Sequence, residues 1–312
     1  MLAKPTVLVL GVGASHPYGY PTGWELLKHA RRYPVEAIAA QIKPRPSFEA
    51  RALYEVLRAT GDASIDAVLE EQEDIREAGK AFIARWLLND ERKARDARQR
   101  PDPEGAWYRE LFGAMRAGSL EEFRRNPLMI VTYNYDRSLD NFLVDALSAK
   151  YRKHSREECA NALDCIGPWH VHGQLGTLPE RPAIGIAPVP YGGDANALTD
   201  SNVAEAAAGI KIMDEAHPNN DVLMLARDAI SKADRLVFLG FGFNGTNVRR
   251  LRLHECLRNE TAVFASAKGP ARLQDDIRRA LNSLTPQIGA PNEGALEFLQ
   301  RYYQLLEPVP IR

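Results

Sequence analysis

Cysteine is scarce in this chain of 312 residues: Cys159, Cys165 and Cys256 are the only three. Three thiols at such uneven spacing exclude a disulfide framework, and no Cys-x-x-Cys pair offers structural zinc its ligands. Net charge is also nearly absent, with 40 basic residues against 41 acidic ones and a balance of -1. No global field therefore draws the protein to nucleic acid or to an anionic membrane, and any charged ligand must be recognised locally. No apolar stretch approaches the roughly 20 residues that span a bilayer. The run Val7 to Leu10, behind Lys4, has the outline of a short signal peptide but stops at Gly11 without a clear small-residue cleavage pattern, so a buried strand is the better reading. Internal repeats and low-complexity tracts are missing too. The expectation is a soluble protein of a reducing, cytoplasmic setting, whose core is large enough to fold without a metal or disulfide staple.

What is present is an alternation of apolar runs and helical patterns. Thr6 to Leu10 is a continuous β-branched and leucine run, as in a strand buried on both faces of a parallel sheet. A helix is predicted from Thr22 to Arg32 and a second short strand at Val35 to Ala39, which would complete a βαβ unit. Over residues 47–124 the composition shifts to Ala, Glu, Arg and Leu at helical spacing, broken near Gly61-Asp62 and at Pro101-Asp102-Pro103, which reads as a helical insertion. Strand signals return at Leu128 to Thr132, Trp169 to His172, Leu236 to Leu239 and Ala262 to Ala265. The prediction is one α/β domain over residues 1–312, a Rossmann-like doubly wound parallel sheet carrying a helical insertion. The Pro- and Gly-rich stretch from Leu178 to Gly193 reads as a long loop of the length that often carries function.

Four strand ends carry polar or glycine-rich turns. Gly11-Val12-Gly13-Ala14-Ser15 joins a strand to a helix, where backbone N–H groups can cradle a phosphate, although two glycines also serve a plain reversal. The dehydrogenase fingerprint fails, because His16 stands at its last glycine, even though Glu36 lies near the place of a ribose-binding acid. The continuation Tyr18-Gly19-Tyr20-Pro21-Thr22-Gly23 keeps the turn extended before the helix. In Thr132-Tyr133-Asn134-Tyr135-Asp136, Asn134 and Asp136 are placed to reach a ligand, with helix capping an equal reading for Asp136. His170-Val171-His172-Gly173 sets a potential proton acceptor beside a glycine; two histidines on one strand face suggest a metal pair, but a third ligand is missing and no metal is expected. In Gly240-Phe241-Gly242-Phe243-Asn244-Gly245, Gly240 and Gly242 permit close backbone contact with a phosphate or ribose ahead of a helix from Thr246.

In this order the four elements resemble the sirtuin, or silent information regulator, family of NAD⁺-dependent enzymes. That family has a Gly-Ala-Gly-x-Ser loop, a Thr-Gln-Asn-x-Asp segment, a His-Gly pair and a later glycine turn, matched here at Gly11 to Ser15, Thr132 to Asp136, His172-Gly173 and Gly240 to Asn244. The resemblance runs from Val7 to about Ala265. It is closer to the bacterial antiphage-defence branch that lacks the zinc module, where the loop continues as Tyr-Gly-x-Pro-x-Gly, here Tyr18 to Gly23; Ser64 to Leu69 is similar to that branch's helical insertion. The resemblance implies NAD as cofactor and substrate, Asn134 and His172 as the catalytic pair, and Gly11, Gly13, Ala14 and Ser15 around the phosphates. It implies Asp136 at the nicotinamide pocket, with Pro21, Thr132, Gly240, Gly242 and Asn244 completing the cofactor site.

The zinc module of the protein-deacylating members is absent, and their Asp-Phe-Arg stretch is replaced by Thr22-Gly23-Trp24, which moves the expectation from deacylation to hydrolysis. Nicotinamide would leave through an oxocarbenium-like transition state, a water oriented by Asn134 would attack the ribose carbon, and His172 would act as base or relay. Because free NAD⁺ hydrolysis would drain the cell, gating is expected through a homo-oligomer or a partner defence protein such as an ATPase or nuclease. The rivals are an NAD-dependent protein deacylase, a non-catalytic NAD or ADP-ribose sensor, and a structural subunit docked through the Arg-rich stretch Glu91 to Arg100, a stretch that otherwise reads as a solvated helix face.

Overall fold

A computed structural model describes residues 1–61, 64–97, 105–192, 198–212, 220–270, 272–281 and 284–307. Six strands, β1 (Thr6–Leu10), β2 (Leu128–Thr132), β3 (Trp169–His170), β4 (Arg235–Leu239), β5 (Ala262–Ala265) and β6 (Gln287–Ile288), form one sheet in the order β3-β2-β1-β4-β5-β6. Every pairing is parallel. The central strands β1 and β4 are buried at every residue, which explains why their sequences run apolar without alternation.

Helices cover both faces. Leu8, Leu10, Ile130, Val237 and Leu239 point to a core shared with α6 (Tyr108–Met115), α8 (Ser138–Lys150) and α15 (Ala295–Arg301), through Leu111, Leu143, Leu147 and Phe298. Their neighbours Val7, Val9, Val131, Leu236 and Phe238 face the opposite way onto α11 (Asp221–Lys232) and α14 (Arg272–Ala280). The sheet is doubly wound, as the strand alternation predicts.

The connection from β1 to β2 is helical nearly throughout: α1 (Gly23–Ala30), α2 (Val35–Gln41), α3 (Ser47–Ala59), α4 (Ile65–Glu71), α5 (Arg76–Ala97), α6 and α7 (Leu120–Phe123). The strand predicted at Val35 to Ala39 is therefore a helix. Pro34 sits at its N-cap, Glu36 in its first turn, and Ile38 and Ile42 bury against Leu53 and Leu57 of α3 instead of entering the sheet. Glu36 is exposed on that helix rather than at a strand end. The helical body thus begins well before Ser47. It has its own core, closed by Val203 and Ala206 of α10 (Asp200–Gly209), which returns from beyond β3 to pack on α5. Asp62, Pro101 to Pro103 and Gly193, where breaks and a loop end are predicted, lie outside the described residues. The short helices α9 (Arg156–Asn161), α12 (Gly245–Leu251) and α13 (Leu253–Cys256) complete the chain. No described helix is long and apolar enough to cross a membrane.

Register sets the site. Leu10 pairs with both Thr132 and Leu239, so the three central strands end level and release Gly11, Tyr133 and Gly240 side by side. The chain winds outward from β1 to β3 and then returns to the other side of β1 as β4. The reversal falls between β1 and β4, and ligands of open α/β sheets bind in the crevice at such a reversal.

Candidate functional site

At the reversal the two glycine turns touch. The Gly11 N–H donates to the Leu239 carbonyl and the Gly13 N–H to the Gly240 carbonyl, both at 3.0 Å. A Cβ on Gly240, whose φ is +58°, would stand 2.0 Å from the Ala14 nitrogen, and one on Gly11 would stand 2.5 Å from the Gly240 oxygen. Glycine is required here because two backbones meet. The Ala14 and Ser15 N–H groups turn inward to Gly11 and Val12 carbonyls, so the amides of Gly11, Gly13, Ala14 and Ser15 are all committed within the protein. Trp107, just before α6, locks the turn from behind by donating its indole N–H to the Ala14 carbonyl at 2.8 Å. Among the described residues, the amides of Phe241, Gly242, Phe243 and Asn244 donate to no backbone carbonyl. Phe243 has a φ of +51° and is held there by aromatic contacts with Phe238 and Phe241, each at 5.1 Å. The unspent donors that an anion would use therefore sit on the β4 turn, not on the β1 turn.

Asn134 follows β2 by two residues and is buried. Its Nδ2 donates to the Gly11 carbonyl at 3.1 Å and to the Ser15 hydroxyl at 3.0 Å, while its main-chain N–H donates to the Thr132 Oγ1 at 3.1 Å. Its Oδ1 is buried and accepts nothing from the described residues. A buried amide oxygen left bare costs about 1–3 kcal/mol, and such an acceptor is a mark of a site shaped for something else.

Asp136 lines the cleft, and its Oδ1 accepts the Ser138 N–H at 3.1 Å just ahead of α8, whose N-cap is Arg137. Burial pushes its carboxyl above the usual range, against hydrogen bonds from Ser138 and Ser15 that pull it down. A second cleft carboxyl, Asp66 on α4, is likewise raised by burial and takes a 2.7 Å hydrogen bond from the Tyr135 hydroxyl. The cleft encloses about 180 Å³, walled by Tyr20, Pro21, Leu26, Ile83 and Leu87 on the helical side and by Phe241 and Phe243 on the other. Among the described residues, Asp66 and Asp136 are its only ionisable acidic or basic lining residues besides the tyrosines. The volume is below the roughly 300–1,000 Å³ of pockets that enclose a whole small-molecule ligand.

Of the residues singled out in the sequence, Gly11, Pro21, Asn134, Asp136, Gly242 and Asn244 line this cleft. Ala14, Ser15 and Thr132 line a minor pocket behind Asn134, and Gly13 and Gly240 are spent on the turn-to-turn contact. His172 stands apart. It is 5% exposed, its Nε2–H donates to the Asn247 Oδ1 at 3.2 Å, its Nδ1 is buried without a partner among the described residues, and it meets the Tyr133 ring edge-on at 5.3 Å. Asn247 and Tyr133 line the cleft and separate His172 from it. Burial lowers the imidazole to about 4, with Asn247 opposing and Arg250 adding to the fall, so the ring is neutral at pH 7. His170 and His172 serve different partners, since the His170 ring bonds the Asn134 carbonyl and Asp140.

Asp66, Asn247, Tyr133 and Tyr20 are missing from the sequence-based site. Asn247 lies three residues past Asn244 in a stretch rich in Asn and Gly, a signal that was available. Tyr20 adjoins Pro21 in the Tyr18 to Gly23 stretch, so its signal was available too, whereas Asp66 lies in a stretch noted only for its resemblance to a helical insertion and is brought to the cleft by helix packing. The stretch from Glu91 is not a solvated face at its start: Glu91 is fully buried and pairs with the fully buried Arg137 at 2.7 Å, fixing α5 to the end of β2. The Tyr20 and Tyr191 hydroxyls, 2.7 Å apart, lie against the same network and tie the long loop to the β1 turn.

No protein-family model and no curated protein matches the chain.

Proposed function

We propose that the cleft binds NAD⁺ and that the protein hydrolyses the bond between nicotinamide and ribose. The observation that carries this reading is Asn134. Its Nδ2 is locked to the Gly11 turn and its bare Oδ1 stands at the strand reversal beside four unspent amides. An amide fixed in this way orients a ribose hydroxyl or a water, and the Phe241 to Asn244 amides suit the pyrophosphate. The two carboxyls, with no basic side chain among the described lining residues, suit a cationic pyridinium. Water adds to the ribose carbon, the C–N bond breaks, nicotinamide leaves with the bond's electrons, and the water's proton passes to a base. His172 is neutral and so able to accept it, once Asn247 and Tyr133 part. Together with the cleft's modest volume, that rearrangement is where an oligomer contact or a partner protein would gate the activity, consistent with a role in antiphage defence. Incubation with NAD⁺, with nicotinamide and ADP-ribose separated by chromatography, tests the reading. His172→Ala is expected to lower the rate by roughly 10²–10⁴-fold and Asn134→Ala to lower it as well, and wild-type rates in both would overturn it.

The seclusion of His172 favours a second reading, a binding protein for NAD⁺ or ADP-ribose without turnover. Saturable binding by calorimetry with NAD⁺ recovered intact would select it.

A further inference from the structure

Asp66 stands where an acid is costly. It lies in the first turn of α4, a place where a carboxylate ordinarily serves the helix N-terminus. That duty is already taken by Ser64, whose hydroxyl accepts the Ala67 N–H at 3.2 Å. The Asp66 side chain reaches instead to the turn after β2, where its Oδ1 accepts the Tyr135 hydroxyl at 2.7 Å. No cation among the described residues offsets its burial, and only that hydroxyl and its own main-chain N–H oppose the rise that burial imposes on the carboxyl. A carboxyl taken out of water without a cationic partner costs folding free energy, and such a group inside a cleft marks a place kept for a ligand.

The two carboxyls of the cleft are not equivalent. Asp136 accepts from the Ser138 N–H and hydroxyl and from the Ser15 hydroxyl, so most of its lone pairs are engaged within the protein. Asp66 has one side-chain hydrogen bond. The other described residues that the helical side gives to the cleft are apolar or, like Tyr20, have their hydroxyl engaged elsewhere, in this case with Tyr191. Opposite stand Phe241 and Phe243. Apolar walls strengthen the field of an unpaired carboxylate, and aromatic walls suit a flat ring, above all a cationic one.

We propose that Asp66 makes the cleft selective for a cationic aromatic ring, the oxidised pyridinium of NAD⁺ over the neutral dihydropyridine of NADH. It is a specificity-determining residue supplied by the helical body, facing a cleft whose sheet side supplies Asn134. The naming of the ring as nicotinamide rests on the function proposed for the cleft; the selectivity for charge does not.

The test is calorimetric titration of the full chain with carba-NAD⁺, whose bond to nicotinamide resists hydrolysis, with its reduced form, and with ADP-ribose, which lacks the ring. The wild type is expected to bind the oxidised form roughly 10–100-fold more tightly than the reduced one. Asp66→Asn keeps the shape of the side chain and an acceptor for the Tyr135 hydroxyl, so the ratio is expected to fall to near one with ADP-ribose affinity unchanged. Equal affinity for the two forms in the wild type, or a ratio indifferent to Asp66→Asn, overturns the proposal. Loss of ADP-ribose binding in the variant would make Asp66 a structural residue and overturns it as well. If neither dinucleotide binds the wild type, the proposed function falls, and 1-methylnicotinamide against uncharged nicotinamide, followed by ¹H–¹⁵N spectra of both proteins, decides the selectivity by the same comparison. Selective binding without release of nicotinamide from NAD⁺ refutes the hydrolysis and leaves the selectivity standing.

Discussion

Acidification isolates the environment of His172. The ring has an ordinary value of 6.5 and is lowered to about 4 in the fold, chiefly by burial. Between those limits the unfolded chain takes up a proton that the folded chain refuses, so stability is fully present above pH 6.5 and is lost as pH falls towards 4. At about 1.4 kcal/mol per pH unit the loss amounts to about 3 kcal/mol. Other buried carboxyls are shifted as well. Asp66, Asp136 and Glu91 are raised by burial and gain protons first in the folded state, which favours folding as pH falls. Their contribution is removed by comparison with His172→Gln, which keeps a polar side chain near Asn247 and has nothing to titrate. Urea midpoints of the two proteins at pH 7, 5.5 and 4 are expected to converge or cross on acidification, with the stability difference moving by about 3 kcal/mol in favour of the variant. Parallel pH profiles would refute the assignment of a buried, neutral His172. If His172 is the base, the acid limb of kcat/KM also falls nearer pH 4 than pH 6.5.

Three further outcomes follow from the packing around the cleft. Gly240→Ala places a methyl 2.0 Å from the Ala14 nitrogen at a φ of +58°, and is expected to cost more than about 2 kcal/mol, read as a lower melting temperature together with weaker binding of ADP-ribose. Arg137→Met strands the Glu91 carboxylate, which is fully buried, and is expected to destabilise by about 3–5 kcal/mol, with more than half regained in the Glu91→Leu, Arg137→Met double variant; chemical denaturation measures both. Tyr135→Phe removes the hydrogen bond that restrains Asp66, so the Asp66 carboxyl should titrate at still higher pH in ¹³C spectra.

The sheet was largely legible because burial writes itself plainly into short strands. Thr6 to Leu10, Leu128 to Thr132, Leu236 to Leu239 and Ala262 to Ala265 are apolar without interruption, and each is a strand within a residue of its predicted limits. Val35 to Ala39 misled because a single turn of buried Ile38 and Ile42 beside β-branched Val35 looks strand-like without its tertiary partners. β6 went unseen since two residues, one of them the exposed Gln287, carry no pattern. At the site, residues that end strands were recoverable because the sheet alone places them. Asp66 and Ile83 were not, as their position depends on how the helices of the insertion pack on one another. Asn134 and His172 were paired through the resemblance, and only the packing of Tyr133 and Asn247 against the His172 ring shows that they do not line the same cleft.

The contact of Gly11 and Gly13 with Gly240 has a mechanical side. Backbone rests on backbone there, with no side chain between to rotate, compress or be trimmed. That contact is therefore a fixed stop within the sheet-side jaw of the cleft. The opposite jaw is differently built, since Leu26, Ile65, Ile83 and Leu87 belong to helices that share a core with α10. A push on α10, more than 100 residues along the chain from Ile83, bears on that helical jaw and not on the backbone contact.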